Sequence, residues 1–346
     1  MATMADVAER AGVSVSTVSH VINGTRFVKE DTAELVMAAI RDTGYTHNTI
    51  ARSLVTASTQ TIGLAISAIS NFYFADVIAA ILDAARRSGY TMLLADTYDD
   101  PDEELRVVQA LHQRRVDGLL LATCTDADGP ALRYLTELAV PTVLVDRCAS
   151  DRFHQVGTEN VEATAALVEH VAGHGHTRIG AIAGRISVRT STERVDGYGM
   201  GIERSGLPYD EKLVATGDST ATAAEGAVRQ LLALPDPPTA LFVANNHMTI
   251  GVMHALTTMG VRVPDDLALV AYDDFEWAAS FRPRLTAIAQ PIQEIGAEAV
   301  RMLMALIADR RDTPRTVRLD PTMMLRESCG CVPDAPKPRR RKARTP

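Results

Sequence analysis

Short apolar runs recur along most of the chain: TIGLAI, TMLLAD, DGLLLA and PTVLVD come first, then RIGAIAG, TALFVAN and DLALVAYD, with helical periodicity between them. A strand buried on both faces reads as such a run. Strand–helix repeats build parallel sheets, because a parallel neighbour is reached only through a crossover connection. The pattern breaks after PTVLVD and restarts at RIGAIAG, so two sheets, and therefore two lobes, are expected. With 346 residues, 46% of them hydrophobic, the chain can bury both cores and still spare a small module.

That module is at the start. Thr3-x-x-Asp6 has capping-box spacing, with the threonine hydroxyl placed to accept the N–H of the third helical residue. Val7, Ala8 and Ala11 share one face, Gly12 interrupts, and Ser14 offers a new N-cap to a helix carrying Val15, Val18, Val21 and Ile22. Two short helices joined by a glycine turn form a helix-turn-helix. The second buries Val18, Val21 and Ile22 and leaves Val15, Ser16, Thr17, Ser19, His20 and Asn23 on its outer face or margin. Hydroxyl, amide and imidazole groups match the donor and acceptor pattern of a DNA major groove, and His20 can donate to guanine N7 or O6. An ordinary amphipathic helix with a polar outer face would show the same pattern, so these residues alone leave both readings open.

The stretch ADVAERAGVSVSTVSHVINGTRFV resembles the DNA-binding start of the lactose/galactose repressor family, and is most similar to its purine-repressor branch. A third helix, roughly residues 31–43, ends at Gly44-Tyr45, and NTIARSLVT then resembles the family's hinge helix. The resemblance implies DNA contacts from Thr3, Ser14, Val15, Ser16, Thr17, Ser19, His20, Asn23 and Arg26, and from Asn48, Ala51, Arg52 and Leu54 in the hinge. Of these, Ala51 and Leu54 would enter the minor groove as an apolar wedge. The chain departs from the family pattern at His47, where proline is usual, at Ala33, where arginine is usual, and at Val55, where the purine branch has lysine. Residues 1–60 carry Arg10, Arg26, Lys29, Arg41 and Arg52 against Asp6, Glu9, Glu30, Asp31, Glu34 and Asp42. So balanced a headpiece implies DNA affinity that leans on dimeric avidity and on helix N-termini at phosphates.

The resemblance continues to about Arg326 and implies the type I periplasmic-binding-protein-like fold. The fold class is therefore an all-α helix-turn-helix headpiece followed by an α/β body of two parallel-sheet lobes, with crossings near Asn160, Gln290 and Asp320. The expected divisions are a headpiece at 1–46, a hinge and linker at 47–60, a body at 61–330 and a basic tail at 331–346. Lobe 1 takes about 61–160 and 291–320, and lobe 2 about 161–290 and 321–330. Ligands of open parallel sheets bind beyond the carboxyl ends of the strands. Asp146, Asn245 and Asp273 end apolar runs there, and Arg194 follows RIGAIAG. Each strand-end residue could simply cap the next helix, but the matching positions in the family contact sugar hydroxyls. Asn71-Phe72-Tyr73-Phe74 replaces a common NPFF, with Asn71 expected in the site and Tyr73 and Phe74 expected to form its aromatic floor. Ser219 stands where relatives have an aromatic wall, Trp277 is the candidate replacement for that wall, and Asn246 replaces a usual aspartate.

The other features exclude more than they assign. No GxxxxGK[ST], no GxSxG and no GxGxxG after a strand is present, so catalysis is not expected. No cofactor is expected either. Cys124, Cys148, Cys329 and Cys331 read as reduced thiols without metal, since the CxC pair has no neighbouring ligand pair. The first residues lack the apolar stretch of a signal peptide, which points to a cytoplasmic protein with no membrane partner. A formal charge of -8 confines nucleic-acid contact to local surfaces, with the tail PKPRRRKARTP expected to be disordered and a possible phosphate-binding arm. The favoured reading is a homodimeric regulator, expected to be a repressor, that binds a pseudo-palindromic operator under control of a sugar, polyol or sugar acid. A transport protein of the same fold and a regulator answering to a purine or nucleoside corepressor are the alternatives.

Overall fold

The computed structural model describes residues 2–23, 26–45, 58–67, 69, 71–280, 282–309 and 313–331. The hinge positions Asn48, Ala51, Arg52 and Leu54, and the basic tail beyond 331, lie outside the described residues. The chain separates into two compact units, Met1–Thr59 and Gln60–Pro346.

In the first unit, helices α1 (Met4–Ala11), α2 (Val15–Asn23) and α3 (Glu30–Thr43) close around Val7, Ala8, Val18, Val36 and Ala39. The capping box forms in both directions at Thr3 and Asp6. Gly12 and Gly44 end α1 and α3 at φ 66° and 63°, a left-handed backbone that glycine adopts without steric cost. Helix α3 starts one residue earlier than the sequence pattern suggests, at Glu30.

The second unit contains two six-stranded sheets. The first has the order β11-β5-β4-β3-β1-β2, from β1 (Thr61–Ile66), β2 (Thr91–Asp96), β3 (Gly118–Leu121), β4 (Thr142–Val145), β5 (His154–Thr158) and β11 (Thr316–Leu319). The second has the order β12-β10-β9-β8-β6-β7, from β6 (Ile179–Ala183), β7 (Val214–Thr216), β8 (Ala240–Val243), β9 (Ala268–Tyr272), β10 (Thr286–Ala289) and β12 (Thr322–Met324). All pairings are parallel except that of β10 with β12. Central strands such as β3 and β4 are buried throughout, whereas β2 at an edge alternates between exposed and half-buried positions.

Each of the seven apolar runs contains a strand. The remaining strands carry polar residues, some of which find partners on distant segments. In β5, which is wholly buried, the Gln155 amide donates to Thr316 Oγ1 on β11 at 2.8 Å. The chain passes from the first sheet to the second between Thr158 and Ile179, returns between Ala289 and Thr316, and crosses again between Leu319 and Thr322. The helix Ile292–Ala308 packs its Ile295, Ala299, Val300 and Leu303 into the core of the first lobe. Three crossings leave the carboxyl ends of both sets of strands facing one another.

Candidate functional site

The first unit presents a polar surface at the start of α2. Ser14 Oγ accepts from Thr17 N at 3.1 Å and lies 2.8 Å from the hydroxyls of both Ser16 and Thr17, so the N-cap also organises a cluster of hydroxyl groups. Val15 is 48% exposed beside them. Ser19 and His20 are half-buried at the margin of the helix, Asn23 closes it, Arg26 is exposed beyond it, and Thr3 caps α1.

In the second unit a cavity of about 80 Å³ lies between the sheet ends. Its lining includes Asn71, Tyr73, Phe74, Asp146, Arg194, Asn245 and Asp273 of the residues expected from sequence. Asp146 and Asp273 directly follow β4 and β9 and hold φ of 68° and 71°, a conformation costly for a residue with a side chain. A 2.7 Å bond from Arg147 N to the Val145 carbonyl ties the turn at Asp146 and points its carboxylate inward. Asn245 also serves as a cap, its Oδ1 accepting from Met248 N at 2.8 Å. Asn71 Oδ1 accepts from Tyr73 N at 3.0 Å and from Asn246 Nδ2 at 2.8 Å, the second bond joining the two lobes.

Trp277 is placed elsewhere. It meets Phe72 and Phe275 edge-on, at 4.9 Å and 5.3 Å between ring centres, and does not appear among the cavity-lining residues. The loop after Asp273 places its ring against Phe72 at the start of the helix Phe72–Arg87, where the indole stays 37% exposed. The expected stacking wall is therefore not Trp277.

Residues not singled out from sequence complete the site. Arg147, next to Asp146, sends Nη1 to Asp99 Oδ1 at 2.5 Å and Nη2 to Ser67 Oγ at 3.0 Å, with its guanidinium 5.7 Å from the Phe74 ring centre. Gln290 lies at the second crossing, donates to Asp273 Oδ1 at 2.6 Å and accepts from the Tyr73 hydroxyl at 3.2 Å. The single hydrogen of that hydroxyl goes mainly to Asp146 Oδ1 at 2.6 Å, which makes the longer contact to Gln290 the minor branch of a bifurcated bond. Arg194 gives Nε to Asn160 Oδ1 at 3.0 Å and Nη1 to the Ala244 carbonyl at 2.7 Å, stacks 3.7 Å over Tyr272, and holds Nη2 3.7 Å from Asp273. Arg147 was legible only as the neighbour of Asp146 and Gln290 only as a crossing point, while Asp99, three residues past β2, carried no signal in the sequence.

Burial shapes the protonation of this network. Burial pushes the Asp146 carboxyl up, against the opposing pull of Arg147 and the Tyr73 hydrogen bond. Burial and then the Asp146 charge raise the Tyr73 phenol well above its usual value, so it stays a donor. Burial also acts upward on Asp99, but the charge and hydrogen bond of Arg147 outweigh it and hold the carboxyl below the ordinary range. Among the described residues, Arg147 Nε and Asn246 Oδ1 are buried side-chain atoms with no hydrogen-bond partner. Such atoms are costly unless something else satisfies them.

The network extends to Glu193, which accepts from Arg318 at 2.7 and 3.0 Å and from Asn160 Nδ2 at 2.8 Å, joining β11 of one lobe to the helix Arg189–Arg204 of the other. Burial raises the Glu193 carboxyl, but the Arg318 hydrogen bonds and charge outweigh it, and the net pKa is lowered. A depressed carboxylate adds stability above its unfolded pKa, and that stability is lost as pH falls through the folded value. Asp146, raised by burial, contributes in the opposite direction. Glu193→Gln is therefore expected to flatten the loss of stability that sets in as pH falls below about 5, read as urea midpoints. Parallel wild-type and variant curves would remove Glu193 from that role.

Comparison with known proteins agrees with both units. The model of "Bacterial regulatory proteins, lacI family" matches residues 3–48, and that of "Periplasmic binding protein-like domain" matches residues 168–329. The chain is 35% identical over 339 residues to an HTH-type transcriptional repressor PurR of Yersinia pestis, covering 97% of this chain and 98% of the relative. Against the corresponding PurR of Photobacterium profundum the identity is 34% over 330 residues, covering 95% and 98%. Among solved structures, a Lac repressor dimer bound to operator and the anti-inducer ONPF aligns with TM-score 0.85 at 28% identity, over 95% of this chain and 99% of that one. A CelR–cellobiose complex aligns with TM-score 0.73 at 31% identity, over 95% and 100%. With a helix-turn-helix unit, a two-sheet body and repressor relatives matching over nearly their whole length, this chain belongs to the lacI family of bacterial regulatory proteins and is a ligand-controlled DNA-binding transcriptional repressor, not an enzyme.

Proposed function

We propose that the protein works as a homodimer in the cytoplasm, sits on a pseudo-palindromic operator, and is switched by a small polyhydroxylated metabolite, a sugar, polyol or sugar acid. The observation that carries the effector class is the lining of the cavity. Carboxylates at Asp99, Asp146 and Asp273 and guanidinium groups at Arg147 and Arg194 converge there, and Arg147 Nε, 3.9 Å from Asp146, has no hydrogen-bond partner. Adjacent hydroxyls suit this set, since a carboxylate accepts from two of them while arginine donates as a fork. The Lac repressor neighbour is a dimer on its operator and CelR is complexed with cellobiose, which supports the assignment by analogy.

A purine effector is the second reading, favoured by the identity to PurR relatives. A purine needs a flat stacking surface. Of the rings in the lining, Tyr73 has its hydroxyl engaged by Asp146, Phe74 lies under Arg147, and the third is the imidazole of His247. Isothermal titration of the full chain with sugars, polyols, sugar acids and purine bases separates the two readings. Binding by purines alone would overturn the polyhydroxyl assignment.

Effector binding that shifts the two lobes changes how a dimer presents its headpieces, and linkage requires operator to alter effector affinity by the same factor. On the DNA side, Ser14, Ser16 and Thr17 at the N-terminus of α2 serve phosphates and base edges, with Thr3, Val15, Ser19, Asn23 and Arg26 around them, and His20 reads a guanine. His20→Ala is expected to relax base preference at one position per half-site, costing about 1–3 kcal/mol of discrimination there. Selection from random operators checks this. An unchanged preferred sequence would make His20 a phosphate contact or a structural residue.

A further inference from the structure

Away from the cavity, the second lobe brings together four side chains that sequence spacing keeps far apart. His170 is in the last turn of the helix Val161–Ala172, and His174 lies just past its end, one turn on and on the same face. Cys329 and Cys331 follow β12 near the end of the described chain. His170 Nε2 and His174 Nε2 lie 3.1 Å and 3.2 Å from Cys331 Sγ, across separations of 161 and 157 residues. The donor atoms of His170, Cys329 and Cys331 all fall within 4.8 Å of one another. We propose that His170, His174, Cys329 and Cys331 form a four-ligand binding site for a soft divalent cation of the zinc class.

The donor set and the spacing both fit. Two thiolates and two imidazoles make a tetrahedral zinc site, in which bond lengths of about 2.0–2.3 Å place neighbouring ligand atoms roughly 3.3–3.8 Å apart. The donors of His170, Cys329 and Cys331 already lie within 4.8 Å of one another, while His174, 3.2 Å from Cys331 Sγ but outside that group, must turn its exposed side chain inward to complete the tetrahedron. Thiols bind as thiolates and give their protons to solvent, so no oxidant or reductant is involved.

The surroundings hold the ligands in place as outer partners of metal sites do. His174 Nδ1 lies 2.9 Å from the His170 carbonyl, and donation to that oxygen leaves Nε2 with its lone pair toward the thiols. Thr286 Oγ1 accepts from Arg326 N at 2.9 Å, which directs its own hydrogen to Cys329 Sγ at 3.2 Å. Cys329 is fully buried, so one side of the site is dry. Between the cysteines Gly330 takes φ 87°, which lets the chain turn both sulfurs to one point. A CxC pair seen in sequence lacked a second ligand pair. The fold supplies it from a helix in the middle of the chain, and an ion there would fasten the carboxyl-terminal strand to that helix.

The test uses the full chain, stripped of metal and kept reduced. It is expected to take up one zinc per chain with a rise in unfolding temperature. With cobalt(II) it should show a thiolate charge-transfer band and the intense visible bands of four-coordinate cobalt. The variant carrying both Cys331→Ser and His174→Ala, each at a partly or fully exposed position, should keep its circular dichroism and operator binding. Its zinc affinity should fall by more than the ~10–100-fold that loss of an outer partner costs. The proposal is overturned if the wild type takes up less than stoichiometric zinc, if cobalt shows no thiolate band, or if the double variant binds zinc as the wild type does. A Cys329–Cys331 disulfide persisting under reductant would overturn it as well.

Discussion

Arg194→Ala is expected to lower the stability of the two-lobed unit by about 3–5 kcal/mol, the usual cost of abandoning one partner of a buried ion pair. Arg194 and Asp273 are both almost fully buried, and the alanine would also leave Asn160 Oδ1 and the Ala244 carbonyl without their donor. Arg194→Lys should recover only part of the loss, because an ammonium cannot serve Asn160, Ala244 and Asp273 from the fixed directions of a guanidinium or stack in the same way on Tyr272. Urea unfolding measures both variants. A loss under about 1 kcal/mol for the alanine variant would mean that water repairs the site, and would remove Arg194 from its role as the central tie.

Asp273→Ala is expected to abolish most of the effector response while operator binding survives, since the helix-turn-helix is a separate compact unit. One charge-assisted hydrogen bond lost from a desolvated site costs roughly 1.5–3 kcal/mol, which is about 10- to 150-fold in effector affinity. The variant also strands Arg194 and leaves Gln290 Nε2 without its 2.6 Å acceptor, so its unfolding temperature should fall too. Titration with the metabolite found to stabilise the wild type separates these effects, because affinity is read on the folded fraction. Wild-type affinity in the folded variant would make Asp273 a structural partner of Arg194, Gln290 and the Asn246 N–H and not an effector contact. The double variant with Arg194→Ala should lose less stability than the sum of the two single changes, as expected for residues sharing one pair.

Much of the molecule was determined locally. The capping box at Thr3 and Asp6, the turn at Gly12 and the end of α3 at Gly44 depend on neighbours within a few residues, so the headpiece is legible in the chain itself. Most of the apolar runs mark their strands because a strand buried on both faces needs apolar side chains whatever lies beside it, the edge strand β2 being the exception. Asp146, Asn245 and Asp273 could be placed at strand ends for the same reason. Other features depended on which distant segment arrives next. The buried strand β5 contains polar side chains whose partners come from distant segments, as Gln155 finds Thr316 on β11. Gln290 joins the site because a crossing carries it between Tyr73 and Asp273, and Trp277 leaves it because Phe72 offers an apolar surface from the other lobe. His170 and His174 meet Cys329 and Cys331 across more than 150 residues. Periodicity in a sequence reports whether a segment is buried, but the identity of its neighbours is set by the crossovers, and only the tertiary structure decides those.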